Sequence, residues 1–92
     1  MADQNANNSG GLPEVTFSTF ILSIGSSALV QLGEVPDPET GQTMENLLAA
    51  KHSIDILSML QEKTKTCLEQ DEQQLLDTLL YDLRMKYVMK TK

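Results

Sequence analysis

The chain has 92 residues, a formal charge of −6, one cysteine and one histidine. That length bounds it to a single domain whose core is marginal when it folds alone, and the lone Cys67 and lone His52 exclude both an internal disulfide and a Cys/His zinc site within one chain. The acidic balance argues against a nucleic-acid binder, whose affinity rests on cationic contacts to phosphates. The reinforcement left for so small a core is a second copy of the chain.

Residues 1–14, MADQNANNSGGLPE, have no basic n-region and no early apolar run, so they do not read as a signal peptide. Their Asn, Ser and Gly content predicts a disordered arm. With no export signal and one thiol, a reducing cytoplasm is the expected location.

A first helix is expected from about Phe17 to Leu32, with Thr16 as N-cap and Gly33 as the stop. At helical spacing Phe17, Phe20, Ile21, Ile24, Ala28 and Leu32 share a face, which Leu22 and Leu29 widen. The opposite arc carries Thr19, Ser23, Ser26, Ser27 and Val30, and no charge occurs between Val15 and Gly33. A helix without charge has little contact with water. Small hydroxyl residues can return their hydrogen bond to the helix's own carbonyls, so they are cheap to bury. Two neighbours do not surround a helix, so a second chain is expected on Thr19, Ser23, Ser26, Ser27 and Val30. The hydroxyl content and the lack of flanking Lys or Arg argue against a bilayer span.

The connection Glu34–Thr43 contains Pro36 and Pro38, each holding its predecessor extended, followed by a Glu39-Thr40-Gly41 turn. Its acids, Glu34, Asp37 and Glu39, fall short of the converging oxygen set that calcium needs. A second helix is expected over about 44–67, capped by Thr43 or Asn46, with Leu47, Ala50, Ile54, Leu57, Leu60, Thr64 and Leu68 on one face. Leu48 and Met59 stand among its polar residues, and Cys67 is expected on its apolar side as a small buried hydrophobe.

A third helix is expected over about 71–89, after the polar break Glu69-Gln70-Asp71-Glu72. Leu75, Leu76, Leu79, Leu80, Leu83 and Tyr87 form its core face. Tyr81, Met85 and Val88, with Thr78, lie roughly opposite and make a second candidate interface. Arg84, Lys86, Lys90 and Lys92 give this end an excess of cations, which suits a helix C-terminus or an anionic surface.

No phosphate loop, nucleophile elbow or metal-binding spacing occurs, so no cofactor, metal or catalytic residue is expected. His52 and Asp55 can touch on one helix, but Cys67 lies several turns on and cannot join them within a chain. Three stretches, TFSTFILSIGSSALVQLGEVPDPETG, NLLAAKHSIDILSMLQEKTK and LLDTLLYDLRMKYV, resemble the bacterial family catalogued as domain of unknown function 1844. The resemblance spans about Thr16 to Val88. It implies a small helical cytosolic protein, and it implies no activity and no site residues. Members of that family often have a Thr where this chain has Glu69, a poorer N-cap.

The expected protein is therefore an all-α three-helix domain behind a disordered arm, associating as a homodimer or higher homo-oligomer, with no enzymatic activity and no nucleic-acid partner. Two rival readings stand beside it. One is a peripheral membrane regulator that uses the uncharged helix or the basic stretch. The other is an enzyme whose His52, Asp55 and Cys67 converge between subunits. The prolines need no ligand to explain them, since they lower the entropy of the unfolded chain. Replacing Pro36 or Pro38 by alanine should cost about 0.4–1 kcal/mol per site, measured by urea unfolding.

Overall fold

The computed structural model describes residues 12–92 as three helices: α1 (Phe17–Gln31), α2 (Leu47–Lys63) and α3 (Gln70–Thr91). Apart from residues 12–14, the arm expected over residues 1–14 lies outside the described residues. No helix is long and apolar enough, among those residues, to cross a membrane.

Side chains set where two of the helices begin. The Thr16 hydroxyl accepts the Thr19 amide at 3.0 Å, and the Thr19 hydroxyl accepts the Thr16 amide at 2.9 Å, a reciprocal cap. Asn46 caps α2 by accepting the Ala49 amide at 3.1 Å. That cap starts α2 three residues later than the expected 44. Its end also comes early, at Lys63 rather than 67. There Thr64 turns its hydroxyl back to the Leu60 carbonyl at 2.6 Å, and the chain tightens into a turn closed by the Cys67 amide on the Thr64 carbonyl at 3.2 Å. At Glu69 the missing hydroxyl cap is partly replaced, because the Glu69 amide donates to the Glu72 carboxylate at 3.0 Å. The Asp71 carboxylate accepts the Glu72 amide at 3.0 Å, and both acids sit at the positive end of the helix dipole.

Cross-helix contacts fix the arrangement. Gln61 donates to Asp77 at 2.8 Å and Arg84 donates to Ser58, so α2 and α3 run antiparallel. Gly25 faces Leu79, and Glu34 lies near Lys90, so α1 and α3 run parallel with α2 as the return. The core takes three buried apolar residues from each segment: Ile21, Ala28 and Leu32; Ala50, Ile54 and Leu57; Leu76, Leu80 and Leu83. Fully burying one of the larger ones contributes about 1.5–3 kcal/mol. A part-buried polar contact joins them, the buried Ser53 hydroxyl donating to the Gln31 side-chain oxygen at 2.8 Å.

Two residues expected on the core face of α1 are outside it: Phe20 is 48% exposed and Leu22 45%. They lie at the edges of the apolar arc, and the two neighbouring helices cover only its centre, around Ile21, Gly25 and Ala28. Cys67, expected to be buried, is exposed because α2 stops before it.

Gly25 is where α1 and α3 come close. A Cβ there would stand 2.8 and 3.0 Å from the two methyl carbons of Leu79. Leu79 is flexible and only partly buried, so Gly25→Ala should fall within about 1 kcal/mol of neutral, the helix-propensity gain offsetting the crowding. Gly25→Val adds two methyls to the same gap and should cost about 1–3 kcal/mol in chemical denaturation.

Candidate functional site

The surface of α1 that its neighbours leave open runs from Leu22 through Ser26, Thr19, Val30, Ser23 and Ser27 to Phe20. Ser23, Ser26 and Ser27 are exposed, while Thr19 and Val30 are half-buried. None is charged. The Ser23 hydroxyl donates to the Phe20 carbonyl at 2.7 Å, and the Thr19 hydroxyl to the Glu14 carbonyl at 2.6 Å. Both groups thus enter any contact with their hydrogen bonds already made. At the start of this face, residues 13–16 with Thr19, Phe20 and Ser23 line an open hollow of about 220 Å³.

A second uncharged strip follows α3. Gln70, Gln74 and Thr78 form its first half; Tyr81, Met85 and Val88, all exposed, form its second. The charges beside it are engaged within the chain. Asp77 accepts from Gln61, Arg84 donates to Ser58, and Lys86 meets Asp82 at 2.8 Å. That hydrogen bond is the main reason the Lys86 ammonium titrates above its ordinary value, and burial partly opposes it. Lys51 is raised in the same way by Asp55, at 3.0 Å.

These pairings change the reading of the basic stretch. Lys90 lies 3.6 Å from Glu34 and 3.4 Å from Glu45, the two ends of the α1–α2 connection. That extends α3 two residues past the expected end. The connection closes as a loop on itself. The Asn46 amide donates to the Gln31 carbonyl at 2.7 Å, the Asp37 amide to the Gln42 carbonyl at 2.9 Å, and the Gly41 amide to the Asp37 carbonyl at 2.7 Å. The Asp37 carboxylate accepts the Glu39 amide at 2.8 Å, and Gly41 takes φ +73°, the left-handed conformation its turn needs. Asp37 therefore orders its own loop.

The catalytic constellation is not assembled within this chain. Asp55 is taken by Lys51, His52 faces solvent, and Cys67 lies beyond the end of α2. Among the described residues no group of three or more His, Cys, Asp or Glu side chains is placed to hold a metal.

The model of the family described as Domain of unknown function (DUF1844) matches residues 14–89, which takes in all three helices up to the last turn of α3. The chain belongs to this family. No curated protein and no solved structure matches the chain. The family's description carries no activity, so the surfaces themselves are the only guide to function.

Removing the ammonium that joins the loop's ends, by Lys90→Met, should lower stability by no more than about 1 kcal/mol, because these carboxylates are partly exposed. The deficit should shrink as salt is raised to about 1 M, where charges are screened within a few ångströms; urea titrations at two salt concentrations measure it.

Proposed function

We propose that the protein is a non-catalytic helical interaction module that self-associates, as a homodimer or higher homo-oligomer, through the outward face of α1. The observation that carries this reading is the charge-free arc between Leu22 and Phe20, two large apolar side chains left about half uncovered on either side of a band of small residues. Small residues let a second backbone come close, and the flanking apolar groups supply area to remove from water. At a formal charge of −6, two copies repel wherever acids face one another. The α1 face is a surface on which they can meet without that cost.

The Tyr81, Met85 and Val88 strip on α3 is the second surface of the module. Its length and lack of charge suit an apolar helix face. The lipid-binding alternative draws less support. Arg84, Lys86 and Lys90 each have a partner inside the chain, which leaves fewer cations for an anionic surface. For a shared enzymatic site between subunits, no observation brings His52, Asp55 and Cys67 together.

Ser23 is exposed in the single chain, so Ser23→Arg should leave its helicity and melting temperature intact at high dilution. In sedimentation velocity the same change should weaken self-association at least tenfold, about 1.4 kcal/mol, by forcing a guanidinium into the contact. A wild-type chain that stays monomeric at tens of micromolar would end this reading.

A further inference from the structure

We draw no further inference here: the strongest candidate, the exposed apolar strip of Tyr81, Met85 and Val88 on the outer face of α3, carries nothing beyond the second surface already proposed, because the charges beside it are engaged within the chain and nothing in the structure shows what covers it.

Discussion

Two helices packed against a third cover only part of its circumference, and that limit governs this structure. From Val15 to Gly33 the chain has no ionised side chain with which to face water. The centre of the apolar arc of α1 goes into the core through Ile21 and Ala28, and Gly25 lets Leu79 lie against the α1 backbone. The rest of the circumference stays open. A larger domain would have further elements to place there. Among the described residues, α2 and α3 leave the charge-free band open.

The remaining architecture serves to hold α1 in that position. The parallel run of α1 and α3 requires α2 to return the chain between them, and α2 is pinned to each by polar contacts as well as apolar ones. Ser53 with Gln31 joins α2 to α1, while Ser58 with Arg84 and Gln61 with Asp77 join α2 to α3. Apolar packing alone tolerates a helix sliding along its neighbour; a buried hydroxyl that must find one amide oxygen does not. Lys90 adds a tie between the last turn of α3 and both ends of the α1–α2 connection. The proline-containing loop is then a closed, self-bonded unit, in which Glu34 meets Lys90 and the Asp37 carboxylate orders the turn.

How far the fold could be read from the residues depended on how local the deciding interaction was. Thr16, Asn46, Gly33 and Gly41 act within a few positions of themselves, and the structure has them as caps or at positive φ. The three helices followed from periodicity. Some of the differences arise at longer range. Phe20 and Leu22 carry the right residue type at the right angle, but whether such an angle is covered depends on where α2 and α3 sit. Cys67 differs for a local reason: α2 stops at Lys63 with Thr64 as its C-cap, four residues short of the expected end, which leaves the thiol beyond the helix. Ser53 gave one weak signal, a polar residue between Ala50 and Leu57 on an apolar face, and its partner lies 22 positions away. The open face of α1 was itself legible, since a run without charge can be read directly, and Thr19, Ser23, Ser26, Ser27 and Val30 all lie on it. What touches that face is not written in periodicity at all.

On the self-association proposed above, the hydroxyl residues suit that face to a partner that leaves as well as arrives. A band of Leu or Phe would drive association harder, but it would also leave the single chain a large exposed apolar surface. Serine lowers that hazard while keeping the surface free of charge. Because the Ser23 and Thr19 hydroxyls are already bonded to the chain's own carbonyls, burying them forfeits little. The large exposed apolar side chains stand at the margins instead, Phe20 and Leu22 on the helix and Leu12 and Val15 before it. Such a division, a nearly neutral centre with apolar groups around it, favours close backbone approach with a modest driving force. On the self-association proposed above, it fits a small module whose association is adjusted by concentration better than one locked permanently to its partner.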